Sequence, residues 1–215
     1  MSNRIIILGT KGIAKKALEI IEEQNNYTEI AFLDSYSNES FFKGYQVLGK
    51  CDDLEKFTNI FNYAFICIND IITRMQYFQR LVSVGYKIPN IIHSLAHISK
   101  TADLGVGLLV NALASVQSDT VVGNGCFIDT GAVVEHDNAI GEFVNISPNA
   151  TTTGNVTIRS KAFIGAGSTI INSINVGENA IVAAGSTVIT DIPDNVMVAG
   201  CPAKIKKELS ACSLT

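Results

Sequence analysis

Residues 116–140 read VQSDTVVGNGCFIDTGAVVEHDNAI, and within them Val116, Val122, Ile128, Val134 and Ile140 recur every six residues. An α-helix of 3.6 residues per turn scatters such a series over different faces, so the stretch is not helical. Extending the register adds Ile98, Leu104 and Val110 before it and Ile146, Thr152, Ile158, Ile164, Ile170, Val176, Val182 and Val188 after it. Fifteen of these sixteen positions are aliphatic. Because Ile, Leu and Val are 58 of 215 residues, chance gives such a register less than about once in a million, and the period marks a repeat architecture. Four positions after the aliphatic residue the chain is mostly small, at Ala102, Ala114, Ala132, Ala150, Ala162, Ser168, Ala180 and Ser186. A large residue inward on a flat side and a small one at a corner, repeated every six residues with three sides per turn, predicts a triangular prism. Its parallel strands stack about 4.8 Å apart.

Outside this block the composition changes. Thirteen of the sixteen Phe and Tyr residues precede residue 98, leaving Phe127, Phe143 and Phe163 after it. Charge follows the same division, with 20 charged residues in 1–97, 11 in 98–193 and 5 in 194–215. The expected organisation is two domains, 1–97 and 98–193, and a C-terminal loop and tail, 194–215. In the first domain Arg4-Ile5-Ile6-Ile7-Leu8 runs into Gly9 and Gly12, after which Ile13, Ala17, Leu18, Ile20 and Ile21 recur at helical spacing. Strand candidates follow at 29–33, 45–48, 63–68 and 89–92, with a helix over about 71–84. Alternating strands and helices predict a small Rossmann-like parallel sheet.

The balance of 16 Lys plus Arg against 20 Asp plus Glu gives a net charge of -4, which disfavours nucleic acid and anionic membrane as partners. No apolar run reaches the roughly 18 residues of a spanning helix, and the start lacks signal-peptide organisation, so a cytoplasmic protein without membrane insertion is expected. Cys51, Cys67, Cys126, Cys201 and Cys212 are odd in number and contain no CxxC pair, the usage of reduced thiols rather than of a disulfide or zinc framework.

Against the charge-poor repeat, Val134-Glu135-His136-Asp137 stands out. Spacing alone leaves His136 open between a functional base and an ordinary solvated pair with Asp137. Gly9-Thr10-Lys11-Gly12 precedes a helix, so its N–H groups suit a diphosphate, but the dinucleotide GxGxxG pattern is absent.

Together the Gly-loop start, Asn90-Ile91-Ile92-His93, the hexapeptide repeat, Glu135-His136-Asp137, Gly154-Asn155-Val156 and the closing Val198-Ala199-Gly200-Cys201-Pro202-Ala203-Lys204 resemble a known family. It is the sugar O-acyltransferase and sialic-acid O-acetyltransferase type, and the likeness is greatest to nucleotide-sugar N-acetyltransferases of bacterial glycan pathways, including the bacillosamine and perosamine enzymes. The resemblance covers nearly the whole chain. It implies an α/β Rossmann-like N-terminal domain followed by a left-handed parallel β-helix, assembled as a homotrimer with active sites between subunits. The handedness comes from the resemblance, since parallel crossovers are otherwise right-handed.

The same resemblance implies transfer of acetyl from acetyl-CoA to the amine of a nucleotide-linked 4-amino-4,6-dideoxy sugar, without a metal. His136 is then the general base and Asp137 the acid residue that raises its basicity, a place for which Glu135 competes. Gly154 offers its backbone N–H to the oxyanion, although a glycine there also suits a tight corner. Coenzyme positions fall at Asn145, where the family has a histidine, and at Ala166, Ala184 and Gly185; the charges of Lys204, Lys206 and Lys207 in the tail fit either the coenzyme phosphates or an ordinary solvated surface. Sugar-nucleotide positions fall at Lys11, Gly12, Ile13, Asp34, Ser35, Ile68 and Asn69, with Ile13 replacing a histidine of some relatives. His93 and His97 are read as structural. The rival readings are an O-acetyltransferase of a sialic-acid-like sugar, a zinc-dependent β-helix hydratase, which wants three imidazoles, and a non-catalytic binding scaffold.

Overall fold

The computed structural model describes residues 3–210; Cys212 and the rest of the tail beyond residue 210 lie outside it. The chain divides into two compact units, residues 1–91 and 92–215.

In the N-terminal unit β1 (Arg4–Leu8) is the centre of a three-stranded parallel sheet, flanked by β2 (Glu29–Leu33) on one side and by β5 (Tyr63–Ile66) on the other. Ile5, Ile6, Ile7 and Leu8 are buried without a polar interruption, as a central strand covered on both faces requires. Helix α1 (Gly12–Gln24) buries Ala14, Ala17, Leu18, Ile20 and Ile21 and stops at Asn25, a left-handed residue with φ 50°. Helix α2 (Ile71–Ser83) starts at Asp70, whose carboxylate accepts from the Thr73 N–H. The strand expected at 45–48 is present as β4 (Tyr45–Gln46), while two elements were not anticipated from the pattern, its hairpin partner β3 (Phe41–Phe42) and a 3-10 helix at Cys51–Phe57. Both are too short to develop a periodic signature.

The C-terminal unit is a β-solenoid of about six coils, made of two-residue parallel strands on three faces. The first face runs from His97–Ile98 to Thr187–Val188, the second from Asp103–Leu104 to Asn175–Val176, and the third contains Leu109–Val110, Phe127–Ile128, Asn145–Ile146, Phe163–Ile164 and Ile181–Val182. Each strand pairs with the one eighteen residues on, as in Val116↔Val134 and Val134↔Thr152. Every aliphatic rung from Val110 to Val188 is buried, and the exception Thr152 is buried with them. The period is also written in the backbone: Leu113, Asp119, Asp137, Phe143, Asn149, Asn155, Lys161, Ser173 and Asn179 all have φ between 55° and 65° at the same place in their hexads. Asn and Asp recur there because they tolerate the left-handed region best among residues with a side chain. Val196–Gly200 extends the third face and pairs antiparallel with Ala203–Glu208.

Candidate active site

His136 lies on the edge between the first and second faces, in the corner that follows Val133–Val134. Its backbone is held by the coil above, where the Asn155 N–H donates to the His136 carbonyl at 3.0 Å. Its ring nitrogen Nδ1 lies 2.7 Å from Asp137 Oδ2. Asp137 is one of the left-handed corner residues, φ 58°, so one position supplies both the turn and the carboxylate. The geometry selects Asp137 over Glu135 as the hydrogen-bond partner. That bond raises the imidazole pKa above its ordinary value, against the opposing effect of desolvation and with further support from the charges of Asp137, Glu135 and Asp119. With Nδ1–H donating to Asp137, Nε2 is left with its lone pair free to take a proton.

Gly154 lies one coil above, and the ring packs directly on it. A Cβ on Gly154 would sit 2.6 Å from His136 Cε1 and 2.7 Å from Nε2. The left-handed residue of that corner is Asn155, φ 59°, so what Gly154 provides is room for the imidazole and not the turn. The flanking N–H groups of Thr153 and Asn155 are used within the solenoid, by the carbonyls of Ile170 and His136.

The residues expected along the coenzyme occupy another edge. Ala166, Ala184 and Gly185 are exposed in the corners between the third and first faces, where the Gly185 N–H donates to the Ala166 carbonyl at 2.9 Å. Asn145 is buried in a strand of the third face. A single chain therefore gathers His136, Asp137 and Gly154 on one edge and does not bring Ala166, Ala184 and Gly185 to it. Lys204, Lys206 and Lys207 are exposed on Ala203–Glu208.

In the N-terminal unit a cavity of about 790 Å³ opens at the carboxyl ends of the strands, where open α/β sheets place their ligands. Lys11, Gly12, Ile13, Asp34, Ser35, Ile68 and Asn69 all line it. Gly9 closes its floor with φ 99°, and a Cβ there would meet the Cys67 carbonyl oxygen at 2.9 Å, so only glycine fits. The Asp34 carboxylate accepts from Thr10 N at 2.8 Å, the Thr10 hydroxyl, Tyr36 N at 2.7 Å and Ser37 N at 3.0 Å. Burial alone would raise its pKa; these hydrogen bonds outweigh it and hold the carboxyl below its ordinary value. Four acceptor directions are thus occupied, and Asp34 ties the two loops of the cavity together. The pattern reading missed Thr10 in this bond, and Lys16, Tyr36, Asp52 and Tyr77 on the cavity wall. Asp52 and Tyr77 are bonded to each other, the Tyr77 hydroxyl donating to Asp52 Oδ1 at 3.1 Å, and share Arg80, whose guanidinium bonds Asp52 at 2.7 Å and lies 5.5 Å from the Tyr77 ring centre.

Among the described residues no group of three or more His, Cys, Asp or Glu side chains is placed to hold a metal ion, and no helix is long and apolar enough to cross a membrane. Cys51, Cys67, Cys126 and Cys201 are free thiols.

Residues 4–81 match the family described as the PglD N-terminal domain. No curated protein matches in sequence. Among solved structures, PerB from Caulobacter crescentus, in complex with CoA and GDP-perosamine, is 30% identical, with 95% of this chain and 98% of that one covered and a TM-score of 0.90. The acetyltransferase domain of PglB from Neisseria gonorrhoeae is 32% identical, covering 95% of this chain and 100% of that one at a TM-score of 0.91. WeeI from Acinetobacter baumannii is 25% identical over 95% and 100% of the two chains, with a TM-score of 0.88.

Proposed function

Because this chain belongs to the bacterial sugar N-acetyltransferase family, we propose that it transfers acetyl from acetyl-CoA to the amine of a nucleotide-linked 4-amino-4,6-dideoxy sugar in surface-glycan biosynthesis. The observation that carries the reading is the His136 ring, bonded through Nδ1 to Asp137 and packed on Gly154. In this reading Nε2 takes the proton from the acceptor amine as it attacks the thioester carbonyl. Asp137 fixes the tautomer and stabilises the imidazolium, and a base of this kind is typically worth about 10² to 10⁴ in rate. The Gly154 N–H receives the oxyanion, a role commonly worth about 3–4 kcal/mol. The thiolate of CoA leaves directly, since no Ser or Cys adjoins His136 in sequence to form an acyl-enzyme.

The nucleotide belongs to the cavity of the N-terminal unit, with Lys11 and the start of α1 at the diphosphate and the remaining lining residues around the nucleoside and sugar. Acetyl-CoA belongs along the edge carrying Ala166, Ala184 and Gly185, where small exposed residues admit a ligand against the backbone, with Asn145 toward the acetyl end. Since His136 is on a different edge, a site using both is completed by a second copy, and the solenoid is read as left-handed and assembled as a homotrimer. The apolar side chains of Leu95 and Leu113, 63% and 65% exposed and eighteen residues apart, supply surface for that assembly. Free thiols suit the reducing cytoplasm.

The test is turnover of UDP-, GDP- and dTDP-linked 4-amino sugars with acetyl-CoA, first ranked by thermal shift. His136→Ala is expected to reduce kcat/KM by at least about 10²; a loss within about tenfold means that His136 is not the base. A sugar hydroxyl preferred over the amine as acceptor refutes the N-acetyl assignment.

A further inference from the structure

The interior of the solenoid is aliphatic except at a few points, and three of them meet directly behind the His136 corner. Thr120, Asn138 and Thr152 are all 0–1% exposed. Asn138 Nδ2 donates to the Glu135 carbonyl at 2.7 Å and to Thr152 Oγ1 at 3.1 Å, and its Oδ1 accepts from the Val156 N–H at 2.6 Å. Thr120 Oγ1 donates to the same Glu135 carbonyl at 2.7 Å and accepts from the Asn138 N–H at 3.2 Å. Thr152, the one break in the aliphatic register, is the hydroxyl that the Asn138 amide requires.

Packing does not explain this cluster. Apolar residues of similar volume fill such a core at least as well, and a buried polar group is tolerable only when it is fully bonded. The other buried hydroxyls among the hexads serve their surroundings singly: Ser168 donates to a carbonyl of its own corner, Gly165, at 2.7 Å, and Ser186 accepts from the Gly200 N–H at 3.2 Å. Thr120 and Asn138 instead grip the oxygen of the peptide that joins Glu135 to His136 from two sides, and Thr152 holds the Asn138 amide that does so. Through Val156 they tie that corner to the coil carrying Gly154, on which the ring packs, and Asn155 holds the next carbonyl, that of His136. The His136 side chain is otherwise more than half exposed, so little but its backbone and the Asp137 bond directs it.

We propose that Thr120, Asn138 and Thr152 are positioning residues, a buried polar strut that fixes the Glu135–Asp137 corner so that the imidazole stays over Gly154 with Nδ1 on Asp137. The inference rests on the reading of His136 as the base, and it is tested on the full chain by two independent measurements. Thr120→Val and Thr152→Val are close to isosteric, and Thr120→Ser keeps the hydroxyl. The chain has three histidines, so the His136 imidazole is assigned in NMR spectra by its absence in His136→Ala and titrated in each variant. Removing either hydroxyl, and more so both, is expected to lower the His136 pKa toward its ordinary value and to reduce kcat by about tenfold. KM for both substrates stays within about twofold, and Thr120→Ser behaves as wild type.

Valine variants that lose thermal stability but keep both kcat and the imidazole titration show ordinary core residues and overturn the proposal. If His136→Ala retains turnover while the valine variants still shift the titration, the strut stands and the base assignment falls. An unchanged titration accompanied by a fall in kcat overturns the strut, because the effect then reaches catalysis by another route.

Discussion

Gly154→Ala separates the geometry of the site from the stability of the fold. The new Cβ would stand 2.6 Å from His136 Cε1 and 2.7 Å from Nε2, whereas carbon atoms in ordinary contact lie about 3.5–4.0 Å apart. The imidazole must retreat by about 1 Å. It has room to do so, because its side chain is 59% exposed, but the retreat pulls Nδ1 from Asp137 Oδ2, now at 2.7 Å. Alanine meets no backbone obstacle, since the left-handed residue of the corner is Asn155. Stability should therefore change by no more than about 0.5 kcal/mol, the usual range for a surface position. A reacting group misplaced by about 1 Å commonly costs about 10²-fold in rate, equivalent to roughly 2.7 kcal/mol in the barrier. Steady-state kinetics on the amino-sugar nucleotide at saturating acetyl-CoA, with a thermal melt beside it, reads both quantities. A Gly154→Ala enzyme within about threefold of wild type would refute the packing of the base on this glycine as a catalytic requirement.

Asp137→Asn keeps a residue suited to φ 58° but weakens the hydrogen bond, and removes the charge, that raise the His136 pKa. The base works as neutral imidazole, so activity rises as pH climbs through its pKa; the variant should begin to rise at lower pH and reach a plateau lower by about tenfold or more, the range of general-base effects. A pH–rate profile with an unmoved acidic limb would break the pairing. Asp34→Ala leaves three backbone N–H groups without their acceptor and should destabilise the N-terminal unit by about 2–3 kcal/mol at neutral pH. All six tyrosines lie in that unit and the chain has no Trp, so tyrosine emission follows its unfolding by denaturant. The folded Asp34 pKa is depressed, so its contribution is present above the unfolded value of about 3.9 and is lost as pH falls through the folded value. The wild-type advantage should accordingly narrow in acid, and an advantage that persists there would place the effect elsewhere.

Much of this was legible in the chain because the repeat is one-dimensional. A residue's place in its hexad states whether it faces in or turns a corner, and pairing at a spacing of eighteen places Gly154 above His136 and Asn138 above Thr120. Even the break at Thr152 was visible as the odd member of the series. Its meaning was not, because a hydroxyl inside an aliphatic column makes sense only when the amide that meets it is known. The first unit was less open to reading, since its short hairpin and 3-10 helix have no period and its cavity joins loops far apart in sequence. The bond between Thr10 and Asp34 spans 24 residues with no recurring interval to announce it.

The sequence alone determined the six-residue period, the presence of two different architectures along the chain and the adjacency of His136 and Asp137, all local or strictly periodic properties of the chain. The tertiary structure alone decided which carboxylate meets the ring, that the imidazole lies on Gly154, and that Asp34 is occupied by four donors. Those outcomes depend on the directions taken by side chains and hydrogen bonds, which stacking order by itself does not specify.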